Sequence, residues 1–309
     1  MPVRSIDPPT ALPIGLAAFL GATLLWGFLP LYWKLLSHIP AVQVIAHRTV
    51  WTALMTLALF AARGQGPALL RAFRNRRQLA ATAASSFLIT ANGCLFVWAV
   101  AQGRVTEVSL GYYLTPLVAV ALGALVLRER LTRLQMIAVG IAGLGVLFMA
   151  RGLGFPWVSI GLASCFGLYG LVRKVAPVEA LLGLTMEMTL AMPLCLLYLG
   201  MLPVPLGEVV AGPALDRVLL LLSGIATALP LFLFAFGTRR LPYATVGILL
   251  YVTPTLHLLV AVAFFGEPFT ADHAITFALI WSAVALFVGN NLLQARLRPA
   301  PAPGSAEPG

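Results

Sequence analysis

The sequence predicts an all-α integral membrane protein in which ten transmembrane helices form two inverted five-helix repeats. Three observations support this fold class. The 309 residues are 60% hydrophobic and only 10% charged, whereas a soluble domain carries roughly 25% charged residues. The apolar residues form ten runs of membrane length. A pattern in the fourth run, Tyr113-x-Thr-Pro116, returns in the ninth run as Tyr251-x-Thr-Pro254.

The apolar runs lie between charged or Pro/Gly-rich breaks, and each approaches the roughly 20 residues that cross a bilayer core. We expect spans at residues 14–34, 42–62, 79–101, 107–127, 134–151, 155–173, 180–199, 216–237, 242–264 and 272–293. No connection between them is long enough to fold as a separate domain. The predicted units are a first repeat over 1–151, a second over 152–298, and a disordered Pro/Ala-rich tail over 299–309.

The lysine and arginine residues predict the orientation of the chain. With both termini in the cytoplasm, the inside segments hold 15 of these residues and the outside segments hold four, while Arg48 lies within a span. This is the bias that membrane proteins show towards positive cytoplasmic loops. The basic run Arg71–Arg77 then faces the cytoplasm, where we expect it to contact anionic lipid rather than nucleic acid.

The duplication extends beyond the Tyr-x-Thr-Pro pattern. The proline and the next acidic residue are 13 positions apart in both copies, at Pro116–Glu129 and Pro254–Glu267, and an offset of 140 aligns Lys34 with Lys174. Because each unit has an odd number of spans, the second must be inverted relative to the first. The alternative is chance similarity among helices rich in leucine, alanine and glycine.

The two matched prolines predict helix distortions near the middle of the membrane. A proline inside a helix removes a hydrogen bond to the carbonyl four residues earlier, so Pro116 would free Tyr112 and Pro254 would free Leu250. A freed carbonyl is tolerated in the membrane only where protein or a water-filled cavity receives it. We therefore expect these helix kinks to border a polar site, with a purely structural kink as the alternative.

Among the ionisable side chains within the predicted spans, His47, Arg48 and Glu187 are the candidates for a functional role. A charge at this depth is costly and is expected to face the protein interior. Arg48 and Glu187 are separated by about 10 Å of depth, so we predict two separate polar anchors at the ends of one cavity. Glu187 is a candidate proton carrier, or an acid bonded to a neighbouring helix. His47 is a candidate proton relay, or a helix-packing donor.

Polar and aromatic side chains supply further candidates for a translocation pathway. For each of them, packing against a neighbouring helix or a place in an interfacial belt is the alternative. The candidates are Asn92, Trp26, Trp98, Tyr113 and Tyr251. Glu129 and Glu267 follow the ends of their spans, where we expect each to bind a neighbouring backbone or arginine.

Several short motifs together resemble one family. They are Leu25-Trp26-Gly27, His47-Arg48-x-x-Trp51, Asn92-x-x-x-Phe96-x-Trp98-Ala99, Glu107-x-Ser109-Leu110-Gly111-Tyr112, Tyr169-Gly170-Leu171-x-Arg173-Lys174 and Phe277-x-x-Ile280-Trp281. Over about residues 13–293 the chain resembles the EamA-type permeases of the drug/metabolite transporter superfamily, and their RarD branch in particular. Thr115-Pro116 stands where that branch leads us to expect Asn-Pro. The resemblance implies a ten-helix permease of the bacterial inner membrane, often an exporter, for small metabolite-like or drug-like solutes.

The predicted function is therefore secondary transport by alternating access, driven by protons or by exchange. The sequence has no Gly-x(4)-Gly-Lys-Ser/Thr motif for nucleotide, and we predict no catalytic residue, metal or cofactor. The predicted partners are a small solute, membrane lipid and a second copy of the chain, paired through the fifth and tenth spans. The alternatives are a membrane scaffold or sensor, and a lipid-modifying membrane enzyme. The latter would need a catalytic motif such as His-Glu-x-x-His, which is absent.

Overall fold

The computed structural model describes residues 11–102, 104–151, 156–204, 206–266 and 271–297, and the regular elements in these residues are helices. The predicted tail and Glu267 lie outside the described residues. The helices are α1 (Ala11–Leu35), α2 (Ala41–Ala62), α3 (Gly66–Arg74), α4 (Arg76–Ala101), α5 (Val105–Leu125), α6 (Arg133–Met149), α7 (Trp157–Val175), α8 (Ala180–Gly200), α9 (Glu208–Ala211), α10 (Ala214–Thr238), α11 (Tyr243–Leu249), α12 (Val252–Phe265) and α13 (Ala271–Leu297).

The predicted all-α membrane fold is confirmed. Within the described residues, nine segments are long and apolar enough to cross a membrane, and α6 adds a shorter apolar helix of 17 residues. These ten segments coincide with the ten predicted spans to within a few residues. The ninth segment consists of two helices, α11 and α12.

The sequence analysis did not predict the short helix α3. Its apolar residues Leu69 and Ala72 are buried, whereas Arg71 and Arg74 occupy its last turn. A basic residue is favourable there because the C-terminal end of a helix carries partial negative charge. The helix is too short and too polar to span, so a search for membrane-length apolar runs passes over it.

The matched prolines have different surroundings in the two repeats. In the second repeat the helix breaks between α11 and α12, and Pro254 is the third residue of α12. A proline is tolerated in a first turn because the N–H that it lacks has no helical partner there. The carbonyl of Leu250 accepts a hydrogen bond from the Thr253 N–H at 3.1 Å. The expectation that Pro254 frees this carbonyl is therefore wrong.

In the first repeat, α5 continues through Pro116 without a break. The Pro116 carbonyl oxygen lies against Gly247 of α11, where an added Cβ atom would come within 2.7 Å of it. The same Cβ atom would lie 2.7 Å from Val120 Cγ2 and 2.9 Å from its backbone nitrogen. The close crossing of α5 and α11 therefore requires glycine at position 247.

The helices of the two predicted repeats interleave. Helix α1 packs against α10 and α12, and its counterpart α7 packs against α4 and α5. Helix α2 packs against α8 and α10, and its counterpart α8 also packs against α4. The pairs α5–α11 and α6–α13 each join equivalent spans. Each of these contacts has its mirror image when the repeats are exchanged, which is the pattern that a pseudo-twofold axis produces. The exact boundary between the repeats stays a prediction.

Candidate functional site

Glu187 is held in a closed polar network between α4, α7 and α8. The residue is 0% exposed. Ser85 Oγ donates a hydrogen bond to its Oε1 at 2.5 Å, and the Tyr169 hydroxyl donates to Oε2 at 3.4 Å. Arg173 Nη1 lies 3.3 Å from Oε1 and completes an ion pair. The carboxyl group thus links three helices and does not reach a cavity in this structure, contrary to the expectation that it forms one end of a cavity.

Arg173 is the partner that the sequence analysis missed. It is 2% exposed, and its Nη2 donates to the Ala180 carbonyl at 2.7 Å. The sequence analysis counted it only among the cytoplasmic charges, because the predicted span ended at residue 173, but α7 continues to Val175. One signal was available. Tyr169 and Arg173 are four residues apart, so both side chains lie on one helix face and reach the same carboxylate.

Arg48 lies in a second polar site, where it has no hydrogen bond or ion pair to any residue that the structure describes. The side chain lies deep among protein atoms and is nevertheless partly exposed, and the Tyr112 phenol and the Cys195 thiol are the ionisable groups near it. Tyr112 also lies deep among protein atoms, and it is 42% exposed. Exposed surface this deep in the protein borders open space between the helices, which we call the Arg48 cavity.

Aromatic rings continue the wall of this cavity around Tyr112. Its ring lies 6.4 Å from the Phe96 ring and 5.7 Å from the His257 ring, measured between centroids. His257 Nε2 lies 3.1 Å from the carbonyl oxygen of Trp26, which fixes the imidazole against α1. The cavity therefore receives side chains from α2, α4, α5, α8 and α12.

The residues of the Arg48 cavity share one depth. Arg48 is the eighth residue of α2, Tyr112 is the eighth of α5, and Cys195 is close to the end of α8. At 1.5 Å per residue all three lie roughly 10 Å from the same end of the bundle. Glu187, the eighth residue of α8, lies towards the opposite end. The prediction that Arg48 and Glu187 do not pair directly is confirmed, since the cation beside Glu187 is Arg173.

Three other candidate residues contact neighbouring segments of the chain. His47 is 1% exposed, and its Nε2 lies 3.2 Å from the Leu206 carbonyl oxygen. Asn92 Nδ2 donates to the Leu162 carbonyl at 2.9 Å, which connects α4 to α7. Trp26 is half-buried in an aromatic cluster of α1, α7 and α10. Its ring lies 5.7 Å from that of Phe166 and 5.3 Å from that of Phe234.

The remaining aromatic candidates lie away from Arg48. Tyr113 and Tyr251 are 8% and 0% exposed within a packed core of α5, α6, α11 and α13, where Tyr113 contacts Phe277. Trp98 lies near the end of α4 with its ring 5.2 Å from that of Trp157. A role for these three rings along a translocation pathway stays a prediction, because each is placed by packing in this conformation.

Tyr112 is the cavity residue that sequence reasoning passed over in favour of Tyr113. Adjacent residues point about 100° apart on a helix, so only one of the two can face Arg48. Helix α5 is apolar on every side, and its sequence therefore contains no polar stripe that would identify the inner face.

Glu129 joins the two halves at the end of the bundle opposite the Arg48 cavity. Its two carboxylate oxygens accept hydrogen bonds from the backbone N–H groups of Tyr243 and Ala244, at 2.6 Å and 2.8 Å. The expectation that Glu129 binds a neighbouring backbone is confirmed. A polar cavity of about 250 Å³ lies beside it, bordered by Gln135 and Asn290. Within the described residues, no group of three His, Cys, Asp or Glu side chains is placed to hold a metal ion.

The fold and the polar groups inside it define a multi-pass membrane protein with a charged site within the membrane. Comparison with known proteins identifies its family. Residues 13–151 match the EamA-like transporter family. The chain is 44% identical to the uncharacterized transporter YojE of Bacillus subtilis, over 85% of this chain and 90% of that one. It is 37% identical to protein RarD of Escherichia coli, over 89% and 93%. It is 38% identical to the chloramphenicol-sensitive protein RarD of Pseudomonas aeruginosa, over 88% and 92%.

The chain belongs to the EamA-like transporter family, among the RarD proteins. It is thus a membrane transporter and not an enzyme. A crystal structure that covers 94% of this chain and 100% of its own superposes with a TM-score of 0.67 at 21% identity, which supports the fold.

Proposed function

We propose that this transporter moves small metabolite-like or drug-like solutes out of the bacterial cytoplasm by alternating access, with the Arg48 cavity as its solute site. The observation that carries the proposal is that Arg48 and Tyr112, both within predicted membrane spans, keep exposed surface deep inside the protein. An uncompensated charge at this depth of the membrane costs free energy. Its presence therefore favours a transport function over that of a packed scaffold. The similarity to proteins named as transporters supports the transport of a solute.

The packing suggests which helices move. One group contains α1, α2, α10 and α12, and its mirror contains α7, α8, α4 and α5. The Arg48 cavity receives Arg48 and His257 from the first group, and Tyr112 and Cys195 from the second. A rocking motion between these groups would change access to the cavity from one membrane face to the other. Because each group mixes helices from both repeats, the moving bodies differ from the two sequence repeats.

The proposed location is the bacterial inner membrane, with both termini in the cytoplasm. The support is the concentration of lysine and arginine in the segments that this orientation places inside. Glu129 and the Glu187 network then lie towards the cytoplasm, and the Arg48 cavity lies towards the outer face.

Two modes of energy coupling fit the buried charges. In the first, Glu187 carries a proton; in the second, transport is exchange and the Glu187–Arg173 pair only holds helices together. The ion pair at 3.3 Å and the Ser85 hydrogen bond favour the structural role, because they bind the carboxylate without an access route. In proteoliposomes, Glu187→Gln would abolish gradient-driven uptake but spare exchange under the first mode, and would affect both alike under the second.

The proposed transport is tested by comparing solutes in bacterial cells and in their medium. Cells overproducing the wild-type chain should shift a reproducible set of solutes to the medium relative to cells with an empty vector. Tyr112→Ala should remove this shift. Leu144→Ala, at an outward-facing side chain that is 59% exposed, should preserve it. If no solute differs between the overproducing and control cells, the proposal is wrong.

A further inference from the structure

Arg48 is a cation whose counter-charge is missing from the part of the chain that the structure describes. Four of the described acidic side chains have other partners: Glu107 with Arg104, Glu187 with Arg173, Asp216 with His38, and Glu129 with the start of α11. The described acids Glu179 and Asp272 are exposed, and neither forms an ion pair with Arg48. The groups that do act on Arg48, the Tyr112 phenol and the Cys195 thiol, are neutral at physiological pH. Nothing described therefore neutralises the guanidinium.

A guanidinium within the membrane needs water or an anion to offset its lost hydration. The Arg48 cavity gives it access to both, since Arg48 and Tyr112 keep exposed surface there. Among side chains, arginine is especially suited to bind carboxylates, because its planar fork donates two parallel hydrogen bonds. The cavity thus supplies the cation of an arginine–carboxylate pair, and the solute supplies the carboxylate.

The surroundings of Arg48 also define the rest of the solute. Phe96, Tyr112 and His257 form consecutive edge-to-face ring contacts along one wall. Rings in this arrangement present apolar faces and edges that accommodate an aromatic or aliphatic body. A small inorganic anion would leave this wall without a partner, whereas an amphipathic organic anion fills both parts of the cavity.

We propose that the Arg48 cavity selects small organic anions, in which a carboxylate or similar single negative group binds Arg48 and an apolar or aromatic body lies against Tyr112 and His257. This inference rests on the proposed transport function and narrows its solute class. It excludes neutral drugs as the principal solutes.

The test uses the full chain in cells, with variants that change only the charge or the shape of the cation. Arg48→Gln removes the charge, and Arg48→Lys keeps it without the planar fork. Arg151→Gln is the matched control, because it removes a cation that stacks on Phe148 at 3.9 Å outside the cavity. Solutes are identified in cells and medium by untargeted mass spectrometry. Equal amounts of each variant in the membrane and the same elution volume in detergent confirm folding.

The solutes shifted by the wild-type chain should be organic anions at pH 7. Arg48→Gln should reduce their transport about tenfold or more, because a hydrogen-bonded ion pair is lost. Arg48→Lys should retain an intermediate rate, and Arg151→Gln should behave as the wild type. A shifted set made of neutral or cationic solutes would overturn the inference and leave transport standing, as would an Arg48→Gln variant that moves the same anions at full rate. Absence of any shifted solute would instead contradict the transport function itself.

A binding measurement separates a free solute from a lipid headgroup as the anion. The purified chain is placed in bilayer discs of phosphatidylcholine alone and titrated with phenylacetate or its neutral amide, while its thermal unfolding is followed. Stabilisation by phenylacetate and not by the amide, lost in Arg48→Gln, supports a free organic anion. Stabilisation that appears only when phosphatidylglycerol replaces phosphatidylcholine would assign the site to lipid and overturn the inference.

Discussion

At the scale of single residues, the two buried arginines have opposite surroundings. Arg173 has a carboxylate at 3.3 Å and a carbonyl at 2.7 Å, whereas Arg48 has neither an acid nor a hydrogen-bond partner among the described residues. A charge that is paired inside the protein contributes to the fold. A charge that is kept unpaired beside a cavity is available to a ligand.

The Arg173–Glu187 pair allows a direct test of its structural role. Arg173→Met leaves Glu187 as an unpaired buried charge and should lower the free energy of unfolding by about 3–5 kcal/mol. The double variant Arg173→Met/Glu187→Met should recover most of this loss, because both charges are then absent. Denaturant unfolding of the detergent-solubilised protein measures both effects.

The partly exposed pair of Arg104 and Glu107 supplies the control for this experiment. Its side chains are 30% and 13% exposed, so solvent weakens the attraction. Arg104→Met should cost about 1 kcal/mol or less. A loss in Arg173→Met no larger than in this control would show that the buried pair does not hold α7 and α8 together.

At the scale of helices, glycine decides how closely two of them approach. Gly247 lies against the backbone of α5 at Pro116 and Val120, where a side chain has no room. The repeated proline does not by itself determine the helix geometry. Pro254 is at the beginning of a helix, while Pro116 is inside one.

The α5–α11 crossing predicts a large effect of a small substitution. Gly247→Val should lower the free energy of unfolding by about 1–3 kcal/mol or more, since the added atoms meet backbone that cannot rotate away. Thermal unfolding in detergent provides the measurement.

Gly140→Ala is the matched control, because no atom lies within 4 Å of the added Cβ atom and the residue is exposed on α6. Alanine should stabilise this helix by up to about 1 kcal/mol through its higher helix propensity. Equal effects at positions 140 and 247 would contradict the close crossing.

At the scale of the whole molecule, the repeats exchange helices rather than form two separate bundles. The principal contacts of α1, α2, α4 and α5 are with helices of the other repeat. A description as two independent five-helix bundles therefore understates the interface between them. The proposed motion must separate two groups that each contain helices from both repeats. Helices α6 and α13 belong to neither group and pack against each other.

The inverted arrangement predicts that equivalent loops lie on opposite sides of the membrane. In a variant with Cys94, Cys165 and Cys195 replaced by serine, we introduce a single cysteine at Arg130 or at Ala271, both exposed. A membrane-impermeant maleimide added to intact cells should label position 271 only. Position 130 should react after permeabilisation, and labelling of both positions from the same side would contradict the inverted repeat.

Much of this fold was accessible from the sequence because the membrane acts locally on each segment. A helix must satisfy its own backbone hydrogen bonds and supply about 20 apolar residues, so each span can be read separately. The buried acid Glu187 and the unusual cation Arg48 were also recognisable, because charges are rare in such segments. The break at Leu250 and Tyr251 and the helix α3 were missed, since neither changes the run of apolar residues that marks a span.

The sequence by itself determined the number of spans and the presence of charge inside them. Only the tertiary structure decided which sides of the helices meet, and hence that Arg173 pairs with Glu187 while Tyr112 lies near Arg48. The physical reason is that lipid and protein interior are both apolar. When a helix is hydrophobic on all sides, its sequence does not show which side faces the protein interior. Packing against the neighbouring helices decides this.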